Sequence, residues 1–168
     1  MDHNDLGHIL FVCTGNTCRS PMAAALFRHA LAAEPEPLKS LEVKSAGIAA
    51  MDGAPASPNA IEAVRKVGLR LDTHRATSLT RDLVDDALAI YCMTESHRQV
   101  IQMRFDPPPK HLYLMREFVA RDPADADIPD PVGQAIAAYE AARDAMVEAI
   151  PSLIEHVRRL VAEAASGD

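Results

Sequence analysis

The chain has 168 residues, and its 24 Asp and Glu against 17 Lys and Arg give a net charge of −7. This length corresponds to one domain that can bury a core without disulfides or metal. The negative net charge disfavours a broad surface for binding nucleic acid and an anchor to anionic membranes. We expect a single domain over 1–168 with flexible ends at 1–7 and 164–168. We also expect a monomer or weak dimer that binds neither nucleic acid nor membrane.

The cysteines are three in number, an odd count that does not fit a disulfide framework. The first residues carry no basic stretch followed by an apolar segment of signal length. The longest apolar run near them, Ile9 to Val12, is too short to cross a membrane. These features predict a cytoplasmic protein with reduced thiols.

The hydrophobic pattern alternates between strands and helices along the whole chain. The predicted strands are His8–Cys13, Leu41–Ala46, Leu88–Met93 and His111–Leu114. The predicted helices are Pro21–Ala33, one that begins at Ser57-Pro58 and stops at Gly68, Glu95–Arg104, and a long one after Gly133. A loop rich in proline and aspartate, Arg116–Pro131, precedes the last helix.

This order predicts an α/β fold with a four-stranded parallel sheet and helices on both faces. Pro151 lies within the last predicted helix, which it should kink or split in two. Ligands of such sheets bind beyond the carboxyl ends of the strands, where loops lead into helices. The first such turn follows Cys13, and it is our candidate phosphate-binding loop.

The turn reads CTGNTCRSP, a cysteine and an arginine separated by five residues, between a strand and a helix. Its backbone N–H groups and the positive end of the helix converge on one point. Gly15 allows a close approach to a ligand, and Asn16 tolerates left-handed backbone. Arg19 matches two oxygens of a phosphate. The same positive environment stabilises a thiolate at Cys13, to which Ser20 can donate a hydrogen bond.

A second cysteine has the same spacing to an arginine, but its context is wrong for an anion. Between Cys92 and Arg98 there is no glycine, and Glu95 places a carboxylate where an anion would lie. We interpret Cys92 as a core thiol at the end of a strand. A Walker-type phosphate loop is excluded because the motif around Cys13 contains no lysine.

The segment from Val12 to Pro21 resembles the signature of the low-molecular-weight protein-tyrosine-phosphatase family. The resemblance extends to the segment KSAG at 44–47, to the third predicted strand and to Asp130-Pro131 ahead of the last helix. It implies a four-stranded parallel sheet with flanking helices, in agreement with the pattern above. It also implies a protein phosphatase that forms a phosphocysteine and acts on phosphorylated proteins.

The resemblance implies a role for each matching residue. Cys13 would be the nucleophile, Arg19 the phosphate-binding arginine and Asp130 the general acid. The resemblance also implies a set of loop residues that bind the substrate phosphate: Thr14, Gly15, Asn16, Thr17, Cys18 and Ser20. Asn16, Ser20 and Ser45 would hold the loop in shape by hydrogen bonds.

Two further residues are implied with their alternatives open. Cys18 would form a reversible disulfide with Cys13 under oxidation, so the enzyme is expected to be redox-sensitive. His74 resembles a family histidine that supports the loop, and it equally fits an ordinary surface or helix-capping histidine.

A phosphoenzyme route needs a proton donor for the leaving group, and the loop before the last helix offers four aspartates. Asp130 is favoured because prolines on both sides stiffen its backbone. We expect the other three, Asp122, Asp125 and Asp127, to be solvated charges. A calcium loop is excluded because the required glycine and distal glutamate are missing. No metal or cofactor is expected, since Arg19 and the backbone neutralise the phosphate charge.

The substrate residue is less sharply indicated than the reaction. Tyrosine-specific members place aromatic residues after the Asp-Pro pair, where this chain has Val132-Gly133. Thr17 occupies a loop position that is usually aliphatic in those members, and it resembles the protein-arginine phosphatase branch. We favour phosphoarginine as substrate, with phosphotyrosine as the alternative.

Two other functions are compatible with the same fold. Arsenate reductases use a redox cysteine pair after the nucleophile, and this chain has no cysteine beyond Cys92, so full thioredoxin-coupled reduction is disfavoured. A phosphoprotein-binding module without catalysis is disfavoured because every expected catalytic group is present.

Overall fold

The computed structural model describes residues 5–167. Four parallel strands form one sheet in the order β2-β1-β3-β4, with β1 at His8–Cys13, β2 at Glu42–Gly47, β3 at Ala87–Cys92 and β4 at Leu112–Leu114. The helices are α1 at Arg19–Leu31, α2 at Pro58–Arg65, α3 at Arg81–Asp85, α4 at Glu95–Arg104 and α5 at Ile136–Ala165. Short 3₁₀ turns lie at Leu38–Ser40 and Pro123–Ala126. The predicted fold class is confirmed.

The alternation of side chains along β1 divides the core between the two faces of the sheet. Ile9 and Phe11 pack in a cluster with α1, α2 and α5, whereas Leu10 and Val12 pack in a second cluster with α3 and α4. Every residue of β1 is buried. A strand covered on both faces needs apolar residues throughout, which is why this segment has no polar alternation.

The central position of β1 determines where the site lies. β1 pairs with β2 on one side and with β3 on the other, so the chain leaves its carboxyl end at the point where the strand order reverses. Cys13 is its last residue and pairs with Gly47 of β2. The loop at 14–18 therefore runs over the edge of the sheet into α1.

Two helical predictions need correction. α1 begins at Arg19, two residues before the predicted start, and Pro21 is its third residue. Proline fits there because the first N–H groups of a helix have no intrahelical acceptor in any case. α3 was not predicted, since five residues are too few to show a helical repeat. It begins after Thr80, whose hydroxyl accepts a hydrogen bond from Leu83 N at 3.3 Å.

Pro151 does not split the C-terminal helix, so that part of the expectation is wrong. α5 runs continuously through it. Pro151 removes only the N–H that would reach the carbonyl of Val147 one turn earlier. Both residues are exposed, Val147 by 47%, so water can satisfy that carbonyl.

The expectation of flexible ends stays a prediction, because residues 1–4 and 168 lie outside the described part of the chain. None of the helices between residues 5 and 167 is long and apolar enough to span a membrane.

Candidate functional site

The loop after β1 carries a run of backbone N–H groups without acceptors. In the described part of the protein, the amides of residues 14–18 have no hydrogen-bond acceptor. They lead directly into the first turn of α1, whose N–H groups also lack intrahelical acceptors. Donors of this kind, together with the positive end of a helix, favour an anion with several oxygens.

Cys13 lies at the base of this loop with only 2% of its surface exposed. Its Sγ is 2.9 Å from the Ser20 hydroxyl on the first turn of α1. That hydroxyl accepts a hydrogen bond from Asn16 Nδ2 at 2.8 Å, and its own hydrogen has two acceptors within reach, the sulfur and the more distant Ala46 carbonyl oxygen at 3.4 Å. A hydroxyl so placed can donate to the sulfur of Cys13.

Asn16 holds the loop in shape. It is fully buried, and its φ of 56° lies in the left-handed region, which asparagine adopts more readily than most residues. Besides Ser20, its amide nitrogen donates to Ser45 Oγ at 2.9 Å, and its Oδ1 accepts from Thr77 N at 2.9 Å. His74 Nε2 donates to its carbonyl oxygen at 2.7 Å, which favours the loop-supporting interpretation of this histidine.

The loop also depends on a glycine at the end of β2. A Cβ on Gly47 would lie 2.6 Å from the carbonyl oxygen of Thr14 and 3.0 Å from Asn16 N. Both neighbours are backbone atoms, which cannot move without displacing the loop. Gly47 is therefore required by the close approach of two backbone segments, a reason that the sequence does not reveal.

Arg19 connects the loop to the segment that contains Asp130. Its side chain is 4% exposed, and its Nη1 donates to the carbonyl oxygen of Ile128 at 2.9 Å. Its Nη2 is 3.6 Å from Asp130 Oδ2. The guanidinium plane is thus oriented by the protein before any substrate binds, which lowers the entropic cost of pairing it with an anion.

Asp130 is half-exposed but fixed in direction. Its Oδ1 accepts a hydrogen bond from Val132 N at 3.1 Å, and its carbonyl oxygen accepts one from Gln134 Nε2 at 2.9 Å. Since its other carboxylate oxygen faces Arg19, the carboxyl group lies beside the anion site while it stays open to water. A carboxyl in this position can donate a proton to a leaving group and later accept one from water.

The other three aspartates are exposed or partly exposed, as expected, but each also accepts a hydrogen bond within the protein. Asp122 accepts from Asp125 N at 3.0 Å, and Asp125 accepts from Arg116 at 3.2 Å. Asp127 accepts from the backbone N of Glu95, the first residue of α4, at 2.9 Å. They satisfy backbone and arginine donors that a long loop would otherwise leave unpaired.

His97 belongs to the site although the sequence reasoning missed it. It lies on the first turn of α4, is 4% exposed, and has Nε2 2.9 Å from the Thr14 hydroxyl. Burial, and after it the charge of Arg19, lowers the pKa of His97 to about 4, so the ring is neutral at pH 7. Asp130 and Asp127 oppose this shift. No sequence motif marks His97, because 83 residues separate it from Thr14.

Thr17 and Cys18 complete the loop. Thr17 is half-buried, and its carbonyl oxygen accepts from Ser57 N at 2.9 Å. Cys18 Sγ lies 3.3 Å from the Ser57 hydroxyl and 3.6 Å from the Tyr139 hydroxyl. Cys13 and Cys18 are both free thiols in this structure, and their disulfide stays a prediction.

Cys92 is a core residue, as its context predicts. It is fully buried in the cluster beneath α3 and α4, and burial raises the pKa of its thiol. Arg98, the arginine at matching distance in sequence, pairs with Glu95 and with Glu117 at 2.6 Å, so carboxylates already balance its charge.

The comparisons with known proteins point to one family. The model of the low molecular weight phosphotyrosine protein phosphatases matches residues 8–163. A protein-arginine-phosphatase of Geobacillus stearothermophilus is 40% identical over 150 residues, which cover 89% of this chain and 95% of the relative.

Solved structures agree with the sequence match. The YwlE arginine phosphatase from Geobacillus stearothermophilus has a TM-score of 0.80 at 38% identity, covering 94% of this chain and 96% of its own. A YwlE arginine phosphatase with a cysteine-to-serine mutation carries a phosphorylated active-site serine. That structure has a TM-score of 0.79 at 35% identity, and the match covers 91% of this chain and 99% of that one.

The depressed pKa of His97 makes stability depend on pH. Its folded pKa lies below the unfolded value of about 6.5, so its neutral form stabilises the fold fully above that value. This contribution is lost as the pH falls from 6.5 through about 4. We expect His97→Gln to flatten the fall in unfolding free energy over this window, as measured by urea unfolding at stepped pH.

The matched control is His29→Gln, which removes an exposed histidine near the end of α1. It should leave the pH dependence of the parent unchanged. Equal slopes for His97→Gln and the parent would contradict the buried neutral state of His97.

Proposed function

Because the chain belongs to the low molecular weight phosphotyrosine protein phosphatase family, we propose that it hydrolyses phosphoarginine in proteins through a phosphocysteine. The observation that carries the chemistry is the run of unpaired N–H groups after Cys13, with Arg19 and Asp130 beside it. Phosphorylated protein is the substrate class of the family. The residue roles below are our proposal.

The first step transfers the phosphoryl group to Cys13. The thiolate attacks phosphorus in line with the leaving group while the amides of 14–18 and Arg19 bind the equatorial oxygens. The sulfur–phosphorus bond forms as the phosphorus–nitrogen bond of phosphoarginine breaks. Asp130 gives its proton to the departing nitrogen. Ser20, whose hydroxyl is 2.9 Å from Sγ, stabilises the thiolate before attack.

The second step releases phosphate. Asp130, now ionised, accepts a proton from a water molecule that attacks phosphorus. The sulfur–phosphorus bond breaks and the electron pair returns to Cys13 as thiolate, so the enzyme is regenerated. Because Asp130 is 44% exposed at its side chain, water reaches it without a conformational change.

The distribution of aromatic side chains supports phosphoarginine over phosphotyrosine. A phosphotyrosine pocket benefits from rings that flank the substrate ring. Here Val132 follows the Asp-Pro pair and is 62% exposed. Of the seven aromatic residues, Phe11, Phe27, Tyr91 and Phe105 are buried away from the loop, and Tyr113 and Phe118 pack against His156. Tyr139 contacts the loop through its hydroxyl, 3.6 Å from Cys18 Sγ, but is only 3% exposed. The site thus offers no exposed ring to a phenyl group.

The relatives support the same assignment. The sequence relative and the two structures described above are arginine phosphatases by name. The phosphorylated serine in the mutant structure supports a covalent intermediate at the corresponding position here, Cys13. Phosphotyrosine remains the second candidate because the family model itself is named for it.

Replacing the nucleophile tests the covalent route. Cys13→Ser removes the thiolate with little change in size, and we expect activity to fall on the order of 10³-fold or more. Hydrolysis of an aryl phosphate and thermal unfolding are measured on the same preparations. Cys92→Ser is the matched control and should keep its activity. A folded Cys13→Ser protein with substantial turnover would refute the mechanism.

Removing the proton donor tests Asp130. We expect Asp130→Asn to slow hydrolysis of substrates with poor leaving groups by about 10²- to 10⁴-fold. The loss should shrink for an activated aryl phosphate, which leaves without protonation. Asp122→Asn is the control, because asparagine can still accept the hydrogen bond from Asp125 N. Equal losses for both substrates would indicate that Asp130 is only structural.

A change at Thr17 tests the substrate residue. Isoleucine would place apolar surface where a guanidino group needs hydrogen-bond partners, and an unpaired polar group costs about 1–3 kcal/mol. We expect Thr17→Ile to lower kcat/KM for phosphoarginine peptides about tenfold or more and to leave it unchanged or higher for phosphotyrosine peptides. Both substrates are measured on both proteins. A parent enzyme that prefers phosphotyrosine tenfold would overturn the phosphoarginine assignment.

A further inference from the structure

A second pocket, of about 210 Å³, adjoins the residues that support the phosphate loop. Ser45 of β2 and His74 line it, and both hold Asn16 through hydrogen bonds. Arg28 of α1 and Arg70 line it as well. None of Cys13, Arg19 or Asp130 does, so the pocket is separate from the proposed catalytic groups.

The charge of this pocket is positive in a protein whose net charge is −7. Arg28 donates to the carbonyl oxygen of Val43 at 2.8 Å, and no carboxylate between residues 5 and 167 lies within ion-pair distance of it. Arg70 pairs with Asp72 at 3.2 Å, but that pair is exposed and contributes little. No acidic side chain lines the pocket to balance these arginines.

The pocket also offers uncharged donors. The Ser45 hydroxyl accepts from Asn16, so its own hydrogen is free to be donated. The Thr73 hydroxyl lines the pocket and has no partner in the described part of the chain. His74 uses Nε2 for Asn16, which leaves Nδ1 to donate when the ring is protonated. Two guanidinium groups with several neutral donors suit an oxyanion of the size of phosphate.

We propose that the pocket lined by Arg28, Ser45 and His74 is a second binding site for a small tetrahedral oxyanion such as phosphate. The reaction proposed above releases phosphate, but the binding argument rests only on this pocket and does not need that reaction. Because Ser45 and His74 both bond to Asn16, an anion here contacts the supports of the phosphate loop directly.

Binding should be visible at His74. Burial, followed by the charges of Arg28 and Arg75, lowers the pKa of His74, and the hydrogen bond that the ring donates to the Asn16 carbonyl oxygen opposes the shift. Arg70 also faces the pocket. A bound anion offsets the arginine charges and favours the imidazolium form. We therefore expect phosphate to raise the pKa of His74, a change that a purely structural pocket would not produce.

The test is a titration of the isotope-labelled full-length protein with inorganic phosphate, followed by nuclear magnetic resonance. We expect two saturation curves with different midpoints: one for the amides of residues 14–18, the other for Arg28 and the His74 ring. Arg28→Gln should weaken the second curve about tenfold or more and leave the first unchanged. Arg81→Gln is the control, since Arg81 is exposed and also donates to a carbonyl oxygen, outside the pocket.

A second variant supplies the carboxylate that the pocket lacks. Ala24 lines the pocket, so Ala24→Glu should fill it from within and abolish the second curve while the first persists. Arg28 is exposed, so Arg28→Gln keeps the test valid even where the buried Ala24→Glu variant does not fold. A single midpoint for all signals, unchanged by Arg28→Gln, would show that phosphate binds only at the loop and would overturn the proposal. Since no turnover is measured, failure of the proposed function leaves this outcome unaffected.

Discussion

The site depends on keeping several consecutive backbone N–H groups of one loop unpaired. Unpaired N–H groups cost free energy, so the loop would become more stable by collapsing onto its own carbonyl oxygens. Other groups must prevent this collapse. Asn16 does so from a left-handed conformation, with its side chain bonded to Ser20, Ser45 and Thr77. Gly47 makes room for the loop, because a Cβ there would meet backbone atoms. The anion site is thus formed by its supports before any ligand binds.

The strand and helix order and the phosphate-binding residues of the loop could be predicted because both depend on local sequence patterns. A strand that is apolar after its first residue, followed by glycine, asparagine and arginine before a helix, predicts the position of the loop. The contacts of His97 and Gly47 could not be predicted, because they join segments that are distant in sequence and no local pattern marks them. The hydrogen bonds of the aspartates beside Asp130 were not predicted either: Asp127 accepts from Glu95 N on another element, whereas Asp125 accepts from Arg116 at the start of the same loop.

Recognition of a phosphorylated group depends on the local positive site and not on the overall charge of the protein. With a net charge of −7, long-range attraction does not bring anions to this protein. Affinity for a phosphorylated group must come from the short-range donors of the loop and from buried Arg19, whose partners are a carbonyl and one half-exposed carboxylate. Low dielectric around a buried guanidinium strengthens this local interaction.

The same elements that hold the loop of Cys13 also position the segment of Asp130. Ile128 N donates to the carbonyl oxygen of Met93 at 2.8 Å, and its own carbonyl accepts from Arg19. Asp127 binds the first amide of α4, and His97, two residues further along that helix, reaches the phosphate loop at Thr14. A displacement of α4 would therefore move the loop of Cys13 and the segment of Asp130 together. In the proposed mechanism, these shared contacts keep Cys13 and Asp130 positioned relative to each other, as in-line transfer requires.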